Sequence, residues 1–319
     1  MSRQRPRDPL LSLVVPVLDE EECVGELARR TRKVLGELGL RYEILFVDDG
    51  SRDATPERIA ELRRADPGVR SLRFTRRFGH QAALAAGLER ARGDAVVTLD
   101  GDLQHPPELL PELVAAWRSG ADVVQAVRRP SPATRPWPRE LLARGFYRAM
   151  AWLSRSPVVP ASADFRLLDR RAVDAFNALE EHYLFVRGLV PWLGFPQARV
   201  EYDAPPRFAG ESKYRGLPSL RLALDGILAF STLPLRLIGL LGLLTTLAGM
   251  GFGIFALVAH VTGRVEASGW TSLVVLILTF GGIQLLSVGI VSEYVGRIYE
   301  EVKRRPRYVI DSSSDEEPP

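Results

Sequence analysis

Cysteine is almost absent from this chain, which has 319 residues and a single thiol, Cys23. One cysteine excludes an internal disulfide and any metal cluster built on several cysteines. Because Cys23 follows a run of acids near a predicted helix start, we expect a buried structural thiol and not a nucleophile.

An excess of one charge is also missing, since 42 Lys and Arg stand against 39 Asp and Glu, a net charge of +3. So small a surplus does not indicate nucleic-acid binding. The sequence has no internal repeats. The apolar run after its basic, proline-rich start is too short for a signal peptide and predicts a strand.

Charge is unevenly distributed, and two stretches near the carboxyl end carry none, Leu237–Ala259 and Gly269–Val291. Each is long enough for a membrane crossing of about 20 residues, although a buried helical hairpin is an alternative. Leu217–Leu233 is mixed in character and predicts a helix lying in the membrane interface. Basic residues concentrate outside both runs, which predicts that both flanks are cytoplasmic.

Apolar runs and amphipathic segments alternate over the first part of the chain. The predicted strands are 10–17, 42–47, 69–74, 95–99 and 122–127, and the predicted helices are 23–38, one from 56, 80–91 and 107–118. Alternation at this spacing predicts an α/β fold with a mostly parallel sheet covered on both faces. Further along, 128–138 and 207–216 are predicted loops, 140–153 and 171–179 are predicted helices, and 312–319 is a predicted disordered tail.

The most informative stretch is Gly93–Glu108, in which an apolar strand runs into Asp100, Asp102 and Gln104. If the chain stays extended, period-two alternation places these three side chains on one side. Hard oxygen ligands at close quarters favour Mg²⁺ or Mn²⁺, which proteins commonly share with substrate phosphates. A plain acidic turn is the alternative.

Two earlier strands also end in acids, at Asp19–Glu22 and at Asp48-Asp49. Parallel strands bring their carboxyl ends to one edge, where open α/β sheets bind ligands. Three acidic loops at the same edge therefore predict a nucleotide site.

Taken together, these segments resemble a known family. VVPVLDEEE, VDDGSRDAT, GDAVVTLDGDLQHPPE, ADFRLLDR, LVPWLGFPQ and RFAGESKY occur in this order before the two uncharged runs, over about Leu10 to Val309. The chain resembles the polyprenyl-phosphate glycosyltransferases, membrane members of glycosyltransferase family 2 that include dolichyl-phosphate mannose synthases and bacterial two-span glucosyltransferases. The resemblance implies a GT-A-type Rossmann-like domain that transfers a sugar, with inversion, from a nucleotide diphosphate to a lipid phosphate.

The resemblance also implies roles for residues of the acidic loops. Asp100, Asp102 and Gln104 match the metal-binding motif, with Mg²⁺ or Mn²⁺ as cofactor. The residues matching nucleotide contacts are Pro16, Leu18, Glu20, Asp48, Asp49 and Asp100. Asp19 and Arg77 stand where asparagine is common in the family, which weakens the transfer of fine nucleotide contacts.

Phosphate and acceptor contacts are implied in the same way. Arg207 and Lys213 match the basic pair of a mobile loop, and Arg128 matches a further phosphate-contacting arginine, with a solvated loop arginine as the alternative. Asp164 matches an acid near the acceptor. Since a phosphate monoester is mostly dianionic at neutral pH, we expect Asp164 to orient the acceptor or stabilise charge and only partly to act as a base. His80 either contacts substrate or caps a helix.

The implied organisation has four parts: a cytoplasmic GT-A catalytic domain over 1–216, an amphipathic helix over 217–235, a transmembrane hairpin over 236–292, and a cytoplasmic segment with an acidic tail over 293–319. The implied partners are a nucleotide-diphosphate sugar, polyprenyl phosphate, the bilayer of a bacterial inner membrane, a flippase and further copies of the chain. UDP-glucose is the favoured donor. GDP-mannose, UDP-N-acetylhexosamine and an aminoarabinose donor are alternatives, as is an inactive membrane scaffold. A processive synthase is disfavoured because the sequence lacks a QxxRW motif.

Overall fold

A computed structural model of the chain describes residues 5–129, 162–181, 186–203, 233–262 and 269–313. The strands are β1 Leu10–Val17, β2 Arg41–Asp48, β3 Val69–Phe74, β4 Ala95–Thr98, β5 Val123–Arg128, β6 Ser162–Asp169, β7 Gln197–Tyr202 and β8 Ile310–Ser313. The helices are α1 Val24–Leu38, α2 Thr55–Ala65, α3 His80–Arg90, α4 Leu110–Arg118, α5 Arg170–Asn177, α6 Val186–Trp192, α7 Leu233–Val261 and α8 Trp270–Lys303, with a short 3₁₀ turn at Pro107–Leu109.

The strands form one sheet in the order β7-β5-β6-β4-β1-β2-β3-β8. Every neighbouring pair among β4, β1, β2 and β3 is parallel, as is β5 with β7, whereas β6 and β8 run antiparallel to their neighbours. The predicted mostly parallel α/β sheet is confirmed.

Helices cover both faces of the sheet. Leu13 and Val15 of β1 belong to the buried cluster that includes side chains of α1 and α4. Val14, on the opposite face of β1, lies against Gly87 of α3. This alternation is what a strand buried on both sides requires, and it explains why the strand segments are continuous apolar runs.

Two antiparallel strands and one parallel edge strand were not predicted as strands. β6 occupies a segment predicted only to be short and apolar. β7 is an edge strand in which exposed and partly exposed residues alternate up to the buried Tyr202. β8 includes Ser312 and Ser313, so the prediction of a disordered tail is wrong for these two residues. They pair with Arg73 and Leu72 of β3.

The segment that leads into β8 also packs against the sheet domain. Tyr308 stacks on Phe74 with ring centroids 4.9 Å apart, and its hydroxyl donates to Glu89 Oε2 at 2.7 Å. Arg307 donates to the backbone oxygen of Leu179 at 2.7 Å. Accordingly, Pro306–Pro319 groups with Met1–Arg215 in one compact unit, and Gly216–Arg305 forms the other.

The second unit contains the long helices α7 and α8. Leu237–Val261 within α7 has a mean hydropathy of 2.0 and is the one stretch among the described residues that is long and apolar enough to cross a membrane. α8 extends well beyond the predicted second span, to Lys303. The predicted loop with Arg207 and Lys213 and the predicted helix over 140–153 lie outside the described residues. So does the interfacial helix predicted over Leu217–Leu233, except for Leu233, which begins α7.

Candidate functional site

The carboxyl ends of β4, β1, β2 and β3 lie along one edge of the sheet, because these strands are adjacent and parallel. The acidic loops after β1, β2 and β4 therefore share that edge. The prediction that three acidic loops meet there is confirmed.

The loop after β4 does not stay extended. β4 ends at Thr98, and Asp102 closes a tight turn by accepting a hydrogen bond from the backbone N–H of Gln104 at 3.1 Å. Leu103 between them adopts a left-handed conformation, φ 61°, and buries its side chain. The conditional expectation of an extended run from Asp100 to Gln104 is therefore wrong, because the turn and the buried leucine bend the chain.

Two contacts fix this loop. A Cβ on Gly101 would lie 2.9 Å from Val17 Cγ1, so only glycine lets the loop pack this closely against the end of β1. The backbone N–H of Asp100 donates to His105 Nδ1 at 2.9 Å, and the buried His105 ring stacks on Phe165 at 5.1 Å. The packing of Gly101 against Val17 and the hydrogen bond to His105 therefore fix the position of Asp100.

The donor set around Asp100 fits a divalent metal. Asp100 Oδ1 is a buried oxygen that accepts no hydrogen bond from the described residues, and such an oxygen is costly unless a ligand satisfies it. The described residues contain no group of three or more His, Cys, Asp or Glu placed to hold an ion. Mg²⁺ is commonly bound by one or two carboxylates with the remaining positions taken by substrate phosphates and water, which matches Asp100 and Asp102.

Asp164 lies on the neighbouring antiparallel strand. Thr98, the last residue of β4, pairs with Arg166 in the register of β4 and β6, so Asp164 lies just beyond the end of this pairing. Thr98 Oγ1 donates to the backbone oxygen of Asp164 at 2.6 Å and fixes this pairing. The Asp164 side chain is 1% exposed.

Three cationic or potentially cationic side chains surround the Asp164 carboxylate. Arg166 Nη2 donates to Oδ1 at 3.0 Å, and Arg187 donates through Nε and Nη2 at 3.1 and 2.9 Å. His80 Nε2 lies 3.3 Å from Asp164 Oδ2 and 3.4 Å from Asp100 Oδ1. His80 therefore bridges the predicted metal carboxylate and the predicted acceptor acid.

These contacts lower the pKa of Asp164 and raise the pKa of His80. Burial by itself would raise the pKa of Asp164, but the hydrogen bond from His80 and the charges of Arg187 and Arg166 hold it well below its ordinary value. Burial by itself would lower the pKa of His80, but the hydrogen bond to Asp164 and the charges of Asp100 and Asp164 raise it. Asp164 is therefore a permanent anion at neutral pH.

At the β2 end of the same edge, Asp49 is an anchor for backbone. Its buried carboxylate accepts from the N–H of Phe78 at 2.6 Å and from the N–H of Gly79 at 3.0 and 2.9 Å. Burial raises the pKa of Asp49 more than these hydrogen bonds and the Arg77 charge lower it. Asp49 thereby shapes the turn before α3.

Asp48 has a related role. Its Oδ1 accepts from the N–H of Ser51 at 2.8 Å, and its Oδ2 lies 3.4 Å from Arg73 Nε. Gly50, with φ 77°, lets Arg76 approach so closely that a Cβ would meet its carbonyl carbon at 2.8 Å. This packing forms one wall of a polar cleft.

The cleft has a volume of about 600 Å³. Its lining residues come from the ends of β1, β2 and β3 and from β8: Leu18, Asp19, Gly50, Ser51, Arg52, Arg73, Phe74, Thr75, Arg76, Arg77 and Asp311. Its position at the carboxyl ends of β1, β2 and β3 and its arginines are suited to a nucleotide.

The other predicted site residues that the structure describes have fewer contacts with the Asp100 and Asp164 cluster. Pro16 is buried within β1, Leu18 lines the cleft, and Glu20 Cγ lies 3.8 Å from the position of a Gly101 Cβ. Arg128 ends β5 with an exposed side chain. Its charge opposes the burial that raises the pKa of Tyr202 to about 12. Arg207 and Lys213 lie outside the described residues.

Sequence reasoning missed three residues of this edge and left one open. No motif in the sequence points to a site at Arg166, Arg187 or His105. Their roles depend on the pairing of β6 with β4 and on the position of α6. His80 remained open between substrate contact and helix cap. Its position between Asp100 and Asp164 identifies it as part of the site. Cys23 is buried as predicted, and burial and the nearby Glu20 raise its pKa to about 12.

The chain is similar in sequence to known proteins. Residues 12–176, more than half of the chain, match the family described as glycosyl transferase family 2. The SfII prophage-derived bactoprenol glucosyl transferase of Shigella flexneri is 40% identical over 303 residues, covering 95% of this chain and 98% of that protein. The prophage bactoprenol glucosyl transferase homolog of Escherichia coli K12 is 38% identical over 300 residues, covering 94% and 98%.

Among solved structures, one of glucosyl-3-phosphoglycerate synthase from Mycobacterium tuberculosis, in complex with Mn²⁺, UDP and glucosyl-3-phosphoglycerate, is similar over 69% of this chain and 79% of that chain. It shows 22% identity and a TM-score of 0.45. The family match and the relatives at about 40% identity over nearly the full length decide the assignment. The chain is a glycosyltransferase enzyme and belongs to glycosyltransferase family 2.

Proposed function

We propose that the enzyme transfers glucose from UDP-glucose to undecaprenyl phosphate at the cytoplasmic face of a bacterial inner membrane, with inversion and with a divalent metal. The observation that carries the proposal is the cluster in which His80 joins Asp100 to the buried Asp164. The bactoprenol glucosyl transferases that match nearly the whole chain support the acceptor and the sugar.

The site favours a single displacement. Both oxygens of Asp164 accept hydrogen bonds from guanidinium groups, so this carboxylate is not free to attack an anomeric carbon. A phosphate oxygen of the acceptor attacks instead, from the face opposite the leaving diphosphate, which inverts the configuration. The carbon–oxygen bond to the diphosphate breaks, and its electron pair leaves with the nucleotide.

Asp100 and Asp102 would hold Mg²⁺ or Mn²⁺, which supplies charge neutralisation to the departing diphosphate. Asp48, Asp49 and Gly50 shape the cleft that takes the nucleoside. Arg128, Arg207 and Lys213 are proposed further phosphate contacts, and Gln104, Pro16, Leu18 and Glu20 complete the surroundings of the metal and nucleotide.

Membrane attachment follows from the lipid acceptor. We propose that α7 and the apolar part of α8 cross the bilayer as a hairpin and that both flanks, with the catalytic domain, lie in the cytoplasm. An inner-leaflet glycolipid is useful on the other side only after transfer by a flippase. Glycines in α7 permit close helix contacts within a homo-oligomer.

A donor panel tests the proposal. The full chain in detergent is incubated with undecaprenyl phosphate and, separately, UDP-glucose, GDP-mannose, UDP-N-acetylhexosamine and a UDP-aminoarabinose donor, and the extracted glycolipid is analysed for mass and anomeric configuration. We expect a product of inverted configuration with UDP-glucose at the highest kcat/KM. Faster transfer from another donor would replace the sugar in the proposal, and no transfer from any donor would support an inactive scaffold.

A further inference from the structure

We propose that Arg187 binds the terminal phosphate monoester of the acceptor, and that Asp164 is the positioning residue that holds the Arg187 guanidinium. This inference rests on the proposed function, because it names the side chain that receives the acceptor. It also assigns to Asp164 a structural task in place of proton transfer.

The Arg187 guanidinium is fixed in orientation. Nε lies 3.1 Å from each oxygen of Asp164, and Nη2 lies 2.9 Å from Oδ2. The Asp164 carboxylate is held in place, because it is 1% exposed and the backbone oxygen of Asp164 accepts a hydrogen bond from Thr98 Oγ1. An arginine held in this way loses little further conformational freedom when it binds a ligand.

The backbone around Arg187 is also anchored. The N–H of Val186 donates to Gln81 Oε1 of α3 at 2.9 Å. The backbone oxygen of Val186 accepts from Arg166 Nη1 of β6 at 3.3 Å. The start of α6 is thus held by two elements of the sheet domain, independently of the Arg187 side chain.

Arg187 stands close to the reacting centre of the proposed transfer. Asp164 Oδ2 contacts both Arg187 Nη2, at 2.9 Å, and His80 Nε2, at 3.3 Å. The same His80 nitrogen is 3.4 Å from Asp100 Oδ1. A short chain of contacts therefore connects Arg187 to the carboxylate that is proposed to face the donor diphosphate.

The two guanidinium groups on Asp164 differ in exposure. Arg166 is 0% exposed and pairs with Asp164 from within the domain. Arg187 is 39% exposed, so a ligand can reach it. A phosphate monoester carries nearly two negative charges at neutral pH, and arginine binds such oxygens strongly.

A donor phosphate has similar chemistry, so the two sources must be told apart. The donor has its own cations at the other end of the edge, where Arg73 lies beside the buried Asp48. Arg73 and Arg187 are matched, since each side chain is 39% exposed and each pairs with a buried aspartate. We assign the nucleotide to the Arg73 end and the acceptor to the Arg187 end.

The chemistry needs no proton acceptor. The acceptor dianion attacks the anomeric carbon with an oxygen lone pair, and the diphosphate leaves with the electrons of the broken bond. No proton is released from the nucleophile, so Asp164 remains an anion that orients Arg187 throughout.

The test uses four variants of the full chain: Arg187→Ala, Arg187→Lys, Arg73→Ala and Arg58→Ala. Arg58→Ala is the control, because the Arg58 side chain is exposed and pairs with Glu61 of its own helix at 3.2 Å. The affinities for farnesyl phosphate and for farnesol are measured with UDP present, the affinity for UDP is measured alone, and KM is measured for each substrate.

We expect Arg187→Ala to weaken farnesyl phosphate binding and raise the acceptor KM about tenfold to a hundredfold, the loss of one charge-assisted contact. Farnesol and UDP binding should stay within about twofold, Arg187→Lys should fall between, and Arg73→Ala should raise the donor KM instead. Added guanidinium should partly restore the alanine variant. Arg58→Ala should match the wild type.

Unchanged farnesyl phosphate binding in a folded Arg187→Ala variant would overturn the inference, as would an effect on UDP alone. If Arg187→Ala melts early, Arg187→Lys decides, since a wild-type acceptor KM in that variant rules out recognition by the guanidinium fork. The proposed function fails separately: a wild type that binds farnesyl phosphate through Arg187 but transfers no sugar would remove the reaction and leave the binding site.

Discussion

The two ends of the sheet's carboxyl edge use buried aspartates for different purposes. At the β2 end, Asp48 and Asp49 bind backbone N–H groups and so shape the proposed nucleotide cleft, and Asp48 also faces Arg73. At the β4 and β6 end, Asp100 and Asp164 face charged or titratable side chains. Acids that bind backbone build a shape, whereas acids that face other charges are placed to meet a charged ligand.

This contrast has a chemical consequence. A nucleoside is recognised mainly by shape and hydrogen bonds, and the β2 end offers a rigid polar cleft. A transferred sugar between two phosphates requires compensation of charge, and the β4 end concentrates Asp100, Asp164 and Arg187 within a few contacts of each other. The reaction should therefore be sensitive to charge at the β4 end and, at the β2 end, to the shape of the cleft as well as to the charge of Arg73.

The largest effect on stability should come from Asp164→Asn. The substitution leaves Arg166 buried without a carboxylate, and breaking a buried ion pair of this kind costs about 3–5 kcal/mol. Thermal melting of the full chain in detergent should show a drop on the order of 10 °C. Asp174→Asn, at an acid that is 64% exposed, is the control and should melt near the wild type. Equal melting of both variants would mean that Asp164 is not the centre of the charged cluster.

Asp102→Asn should mainly affect turnover. Because Asp102 is partly exposed and closes its turn through one hydrogen bond, the variant should fold. If Asp102 holds the metal, kcat should fall about a hundredfold or more, the usual cost of losing one preorganised electrostatic contact. Steady-state transfer assays beside Asp174→Asn measure this. Unchanged turnover in Asp102→Asn would remove this residue from the metal site.

Gly50→Ala tests the importance of shape at the β2 end. Both the positive φ of 77° and a Cβ only 2.8 Å from the Arg76 carbonyl carbon oppose alanine. We expect a cost of about 1–3 kcal/mol and a raised KM for the donor, with the acceptor KM little changed. Gly39→Ala is the matched control, because its φ is 62° and no atom lies within 4 Å of a Cβ there. A donor KM that moves equally in both variants would exclude a specific role for the Arg76 contact.

The smallest effect is on the pH dependence of stability. Because the pKa of Asp164 is lowered in the folded state, its ionised carboxylate stabilises the fold at pH values above the ordinary aspartate pKa. This stabilisation is lost progressively as pH falls from the ordinary pKa towards the lowered one. The raised pKa of Asp49 acts in the opposite direction, because the folded state keeps its proton to higher pH. Melting temperatures between about pH 3 and 5 should vary less steeply in Asp164→Asn and more steeply in Asp49→Asn. The reverse order would contradict the two pKa shifts.

The sequence predicted the parallel part of the fold well. β1 and β3 have the predicted bounds, and α1 and α3 differ by one residue. Apolar continuity and helical periodicity are local signals, so these elements could be read directly. β7 and β8 are edge strands with polar residues, and their strand character depends on pairing with β5 and β3.

The candidate site could be predicted where its residues follow a predicted strand, but not where they depend on strand pairing. Asp100, Asp102 and Asp48 stand next to strand ends, where their loops had to share an edge. Arg187 and Arg166 enter the site only through the antiparallel pairing of β6 with β4 and the position of α6. No spacing in the sequence encodes that pairing, so the partners of Asp164 could not be inferred before the fold was known.

Metal dependence tests the central claim most directly. The wild type is dialysed exhaustively against chelator and assayed with UDP-glucose and undecaprenyl phosphate, before and after Mn²⁺ or Mg²⁺ is added back. The arrangement of Asp100 and Asp102 predicts that transfer stops on chelation, returns with either ion, and does not return in Asp102→Asn. Glycolipid formation at the full rate without metal would contradict it.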